Sequence, residues 1–236
     1  MLPRESYELC EALAEDLDQL IRLHDRELDA ETWAALQQAN FPDNLAQVME
    51  EGAELLREAL RSPPEFDALA ADYAAIYLTG ALGASPCESF WVSDEHLHCE
   101  APMFELAALY AAHGLAVSDR CRRYDDHLVC QLLFLRHLLL CGASGSELGR
   151  FLDEHLGYWL PDFTGRVAAR SDSAFYAGLA ALTAAWLERV RSLIAELGAA
   201  PRMPRSEVEQ RLRERRVAQV ASVAPIRFMP GVGPTL

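Results

Sequence analysis

The run at residues 128–140, LVCQLLFLRHLLL, is apolar around nearly its whole circumference. Leu128, Leu132, Leu135 and Leu139 fall at i, i+4, i+7 and i+11, and Val129, Leu133, Phe134 and Leu138 fill the flanks. A helix built this way has little surface to give to water, so other elements must cover it on most sides. What can cover it is again helical. Leu9, Leu13, Leu17, Leu20 and Ile21 form a stripe on a first helix, and a short second helix after Asp29 carries Trp33 and Leu36. FPDNLAQVMEEGAELLREAL predicts a third, with Leu45, Val48, Met49, Leu55, Leu56 and Leu60 inward. SPPEFDALAADYAAIYL predicts a fourth, capped by Ser62 with Pro63 and Pro64 in its first turn. Period-2 alternation is scarce, so the expected fold class is all-α.

The helical pattern lapses between residues 81 and 101 and resumes at PMFELAALYAAHG, which opens near Pro102 and closes at Gly114. An irregular stretch of that length inside a domain is commonly functional. The chain therefore divides into an N-terminal helical subdomain at 1–80, a hinge at 81–101, a C-terminal helical subdomain at 102–200, and a charged helix with a flexible tail at 201–236. In the C-terminal part, Ser144 and Glu147 have capping-box spacing ahead of GRFLDEHLGYWLP, a long helix ends at Gly198, and Ser206 and Glu209 cap the last helix. The RLRERR run in that helix reads as a solvated face with internal Glu–Arg pairs.

Net charge is −15, and all 21 basic residues are arginine. This excludes a nucleic-acid partner, whose phosphates demand positive charge, and suits a basic peptide. The six cysteines show no CxxC pair and several sit in apolar runs, so they are expected to be reduced, which places the chain in the cytoplasm. The acidic, amphipathic N-terminus does not have the form of a signal peptide, and no apolar run is long enough to span a membrane.

Directly before the apolar run stands Asp125-Asp126-His127. One aspartate would suffice as a cap. A protonated imidazole is unfavourable at a helix N-terminus, although two neighbouring carboxylates would favour its charge. Two readings stay open: a structural cap, or a polar binding edge where core meets solvent. The sequence HLHC, with Cys87, Cys121, His127 and Cys130, lacks the spacing of a zinc site. Asp126 and His127 have no accompanying nucleophile or phosphate loop. No catalytic residue, metal or cofactor is expected, and a small metal-binding protein or an enzyme using Asp126 and His127 is the alternative.

Asp126-His127-Leu128, followed by Leu132 or Leu133 and then Phe134 and Leu135, resembles the D-H-L-x-x-x-L-x-F-L signature of the TorD/DmsD/NarJ group. Pro86, Ser89, Phe90 and Trp91 resemble its P-x-x-S-[VIL]-[YW] segment, Pro102, Tyr110 and Gly114 its proline-led helix, and Asp72-Tyr73 its D-Y helix end. Tyr124 stands where the group commonly has proline, and Gln131 where it usually has glutamate. The resemblance covers about residues 67 to 140 in order. It implies a TorD-like helical bundle and a cytoplasmic, non-enzymatic chaperone. That chaperone, a monomer or homodimer, holds the precursor of a molybdoenzyme catalytic subunit by its twin-arginine signal peptide or its apo-enzyme body until cofactor is inserted. The residues it points to for peptide binding are Ser89, Phe90, Trp91, Leu97, Glu100, Pro102, Tyr124, Asp125, Asp126 and His127. Phe90, Trp91 and Leu97 would form an apolar wall, and Asp125, Asp126 and Glu100 would face the arginines.

Overall fold

The computed structural model describes residues 4–92, 95–118 and 123–222. In chain order the elements are α1 (Arg4–Asp25), α2 (Ala30–Gln38), α3 (Glu50–Arg61), α4 (Phe66–Tyr73), a π-helical turn π1 (Ala74–Leu78), α5 (Glu88–Val92), α6 (Ala101–Ala112), α7 (Leu128–Leu140), α8 (Gly145–Phe151), a second π-helical turn π2 (Leu152–Leu156), α9 (Gly157–Arg170), α10 (Ala174–Glu196) and α11 (Arg205–Ser222). The fold is all-α. Among the described residues the single extended pairing is an isolated antiparallel bridge between Cys87 and His127, and no helix is long and apolar enough to cross a membrane.

The apolar run becomes α7, as its circumference demands. Leu128, Leu132, Leu135 and Leu138 are fully buried, and α1 packs along it with Leu17 and Leu20, themselves fully buried. Each such leucine contributes about 1.5–3 kcal/mol relative to exposure. Leu133 and Leu140 are the exceptions and remain exposed. On the other side α10 packs against both α3 and α9. Gly52 and Gly178 let α3 and α10 touch backbone to backbone: a Cβ at Gly52 would lie 2.2 Å from the Gly178 carbonyl oxygen. One buried cluster takes side chains from both sides of the 81–101 segment, including Leu17, Ile76, Leu132 and Leu182.

Three helix starts differ from expectation. Residues 41–49 form turns instead of the first half of a helix. The cause lies on α1, where Asp16, 2% exposed, accepts from the backbone N–H groups of Ala46 (2.7 Å) and Gln47 (3.0 Å) and from Trp186 Nε1 (2.9 Å). Those amides are thereby unavailable to a helical ladder, and Gly52 at φ +84 bends the start of α3. Likewise Ser62 ends α3, and α4 begins at Phe66 behind Glu65, so Pro63 and Pro64 lie in the connection. The last helix starts at Arg205, with the Pro204 carbonyl accepting from Glu207 and Val208 N–H, so the Ser206 cap is not used. The Ser144 cap is: its Oγ accepts from Glu147 N–H at 3.2 Å. Helix α9 runs on through Pro161 to Arg170, because the wide turn of π2 precedes the proline and loosens the ladder where its N–H is missing.

Candidate functional site: the corner between the 81–101 segment and α7

The Asp125-Asp126-His127 triplet does not act as a row of acidic caps. All three residues are buried, Asp126 completely. His127 is the N-cap of α7, its Nδ1 accepting from Val129 N–H at 3.1 Å. Burial, with smaller contributions from the charges of Arg123 and His24, lowers the His127 pKa to about 3. The imidazole is therefore neutral, which removes the conflict with the helix dipole that the sequence raised.

Asp126 is the tie between chain segments. Its Oδ2 accepts from Ser89 N–H at 2.8 Å, and its carbonyl accepts from Glu88 N–H at 3.1 Å and Gln131 Nε2 at 2.9 Å. Leu128 N–H donates to the Pro86 carbonyl at 2.7 Å, and Tyr110 Oη donates to the Asp125 carbonyl at 3.0 Å. Segment 85–89, α6 and the mouth of α7 are thus fastened around one buried polar knot. Gln131, where the resembled family usually has glutamate, is fully buried and also lies 3.4 Å from Trp159 Nε1 through its Oε1.

Outside this knot lies an aromatic surface. Phe90 stacks on His96 with centroids 4.8 Å apart, His98 lies 5.8 Å from Phe90, and Tyr124 stacks on His98 at 6.0 Å. Leu97 and Tyr124 are 46% and 42% exposed, while Phe90 and Trp91 are half-buried. The hydrogen bond with Cys99 raises the Tyr124 phenol above its ordinary value. Glu100 is half-buried beside Ser89, whose Oγ accepts from its N–H at 3.2 Å, and Pro102 is buried in the first turn of α6. Of the ten expected site residues, then, Phe90, Trp91, Leu97, Glu100 and Tyr124 reach the surface. Ser89, Pro102, Asp125, Asp126 and His127 lie beneath it.

Several supporting residues carried no sequence signal. Arg166 sits over the Trp91 ring at 4.7 Å and donates to the Gly83 carbonyl at 2.7 Å; Arg170 donates to the Leu82 carbonyl at 2.6 Å. Trp91 Nε1 donates to the Ser85 carbonyl at 2.7 Å. Glu88, the buried first residue of α5, pairs with buried His155 of π2 at 3.1 Å. Burial raises the Glu88 pKa, with His155 acting against it. Burial lowers that of His155, but the charge and hydrogen bond of Glu88 outweigh it and leave it raised.

The RLRERR run is not simply a solvated face. Arg211 reaches Glu154 at 3.4 Å as well as Glu207 in its own helix, and Arg215 pairs with both Glu154 and Glu105. They close one side of a cleft of about 680 Å³. Cys10, Cys87, Cys99, Cys130 and Cys141 are free thiols; Cys121 and residues 223–236 of the tail lie outside the described residues.

The corner lies within the part of the chain that matches known proteins. Residues 42–165 match the family model described as nitrate reductase delta subunit. The chaperone protein TorD of Shewanella oneidensis is 30% identical over 132 residues, which is 53% of this chain and 60% of the relative. TorD of Vibrio cholerae is 26% identical over 139 residues, 55% and 63% of the two chains. TorD of Vibrio vulnificus is 29% identical over 119 residues, 46% and 55%. The match spans less than two thirds of each of these relatives. With the family model covering more than half of this chain, the chain belongs to the nitrate reductase delta subunit family.

Proposed function

We infer that this protein is a cytoplasmic chaperone for the maturation of a molybdenum-containing oxidoreductase, holding the twin-arginine signal peptide or the apo-enzyme body of a precursor until cofactor is inserted. The observation that carries the reading is the aromatic surface of Phe90, Trp91 and Tyr124, with Leu97 exposed in the same segment, laid over a rigid polar knot. The apolar stretch of a signal peptide loses water against such rings. Its arginines meet a chain of net charge −15 and the Glu100 carboxylate at the rim. Asp125, Asp126 and His127 serve the peptide indirectly, by fixing Ser89 and the backbone that presents Phe90 and Trp91. The division into subdomains at 1–80 and 102–200 fits the same reading, with segment 81–101 presenting the face to the client.

The test is a titration of a fluorescently labelled twin-arginine peptide against the full chain. Phe90→Ala and Tyr124→Ala are expected to weaken binding by about 5- to 30-fold, equivalent to about 1–2 kcal/mol of lost aromatic contact, while leaving the melting temperature within a few degrees. Binding should also weaken with rising salt. Unchanged affinity in both variants would overturn the assignment of this surface.

A further inference from the structure

We propose that the far end of α7 carries a divalent transition-metal site, formed by His113, His137 and Cys141, that takes zinc. The ligand atoms of these three side chains all lie within 4.8 Å of one another. His137 and Cys141 are four residues apart at the last turn of α7 and its C-cap, so they project from one face. His113 arrives from the C-cap of α6, where Gly114 at φ +71 turns the chain away. The two imidazoles meet edge-on at 89°, with centroids 5.3 Å apart. Two imidazoles bound to one tetrahedral ion at about 2.0–2.1 Å per nitrogen have centroids roughly 5 Å apart. The histidine rings therefore need little rearrangement. The three ligand atoms must draw closer than this for the thiolate to reach its bond length of about 2.3 Å, and Cys141, exposed at the helix end, has room to turn.

The neighbours fit the role. Glu147, in the first turn of α8, lies with Oε1 3.1 Å from His113 Nε2. A carboxylate behind a ligating imidazole fixes its tautomer and orientation in metal sites. The rings of Phe134 and His137 stack at 6.1 Å, and Phe134 also contacts His113, so one side of the site is walled by apolar surface. Two nitrogens and one sulfur suit zinc, whereas magnesium and calcium prefer oxygen. Three protein ligands leave a fourth position toward solvent, where His113 and His137 are half-buried and Cys141 is exposed. The site is about 20 Å along α7 from the His127 cap, so it is separate from the aromatic surface and independent of the peptide reading.

The experiment is metal titration of the purified full chain, stripped with chelator. Zinc affinity is measured by competition with a chromophoric chelator, and cobalt is used as a spectroscopic substitute. One equivalent of cobalt should give intense tetrahedral d–d bands and a thiolate charge-transfer band in the near ultraviolet. Cys141→Ser should lose the charge-transfer band, His137→Ala and His113→Ala should lose stoichiometric binding, and Glu147→Gln should weaken zinc about 10- to 100-fold. Cys99→Ser, in the other His/Cys-rich segment, should change none of these. Circular dichroism of each variant separates loss of ligand from loss of fold. The proposal is overturned if the wild-type chain takes up no stoichiometric metal, or if the thiolate band survives Cys141→Ser and vanishes in Cys99→Ser.

Discussion

The two ends of α7 use the same kinds of residue for opposite purposes. At the N-terminal end, Asp125, Asp126 and His127 are buried, and their backbone and side-chain groups bond Ser89, Val129, Glu88, Gln131 and Tyr110. At the C-terminal end, His137 is half-buried and Cys141 exposed, and their side-chain ligand atoms converge on those of His113. Residue type alone did not separate these cases. A histidine beside two aspartates looks more like a reactive group than a histidine within RHLLLC, yet the first is locked into the fold. Burial decides: polar atoms taken out of water mostly bond internally, Asp126 Oδ1 being without a partner here, and once bonded they have little left for a ligand.

The largest expected effect is on pH dependence. His127 and the buried His24, whose imidazole bonds Tyr77 at 2.6 Å and Thr183 at 2.9 Å, both have pKa values lowered to about 3, in each case mainly by burial. The unfolded chain binds protons at these sites near pH 6.5 while the folded chain does not, so stability falls as pH drops from about 6.5 toward 3. Each contributes about 1.4 kcal/mol per pH unit within that window. His155, with its raised value, works in the opposite sense: its contribution is present at low pH and lost as pH rises through its folded pKa. Urea unfolding between pH 7 and 4 should show a slope that His127→Asn, which keeps a cap acceptor, reduces by about one histidine's share. An unaltered slope would mean that this end is more open to water than its burial indicates.

Next in size is Asp126→Ala, which leaves the buried Ser89 N–H without an acceptor and should cost about 1–3 kcal/mol. Chemical denaturation measures it, and hydrogen exchange at Ser89 should speed up in the same variant. The smallest effect is expected at the other end. Without metal, Cys141→Ser should change stability by no more than about 0.5 kcal/mol, as surface substitutions usually do. If Cys141→Ser destabilised the metal-free chain as much as Asp126→Ala, the contrast between a locked and an open end would fail.

What the sequence made legible follows the range of the interactions. Helix α7, the Ser144 cap and the closing glycines at 114, 142 and 198 rest on neighbours within a few residues, and each is present. The match of Asp126-His127 with Pro86-x-x-Ser89 was visible as two motifs in order, and the structure brings them into contact. It was not visible that Asp126 faces inward, because burial depends on α5 and α6 closing over it. The unwound start before α3 depends on Asp16, some 30 residues earlier. Arg215 meets Glu105 across 110 positions, and Glu88 meets His155 across 67. Periodicity has no access to partners that distant.

The wide turn π2 has a consequence for chain length. A π-helical turn carries one residue more than an α-helical turn, and here it places Asp153 on Arg191, Glu154 on Arg211 and Arg215, and His155 on Glu88. Removing one residue from Leu152–Leu156 would close the wide turn into a plain α-helical one, so that α8 and α9 could keep their phase while the side chains within the turn were re-aimed. His155 would then leave Glu88 as an unpaired carboxylate in the core, which the fold tolerates poorly. The Glu88–His155 pair is therefore tied to the length of π2: a one-residue deletion there should cost less stability in a Glu88→Gln background than in the wild-type chain.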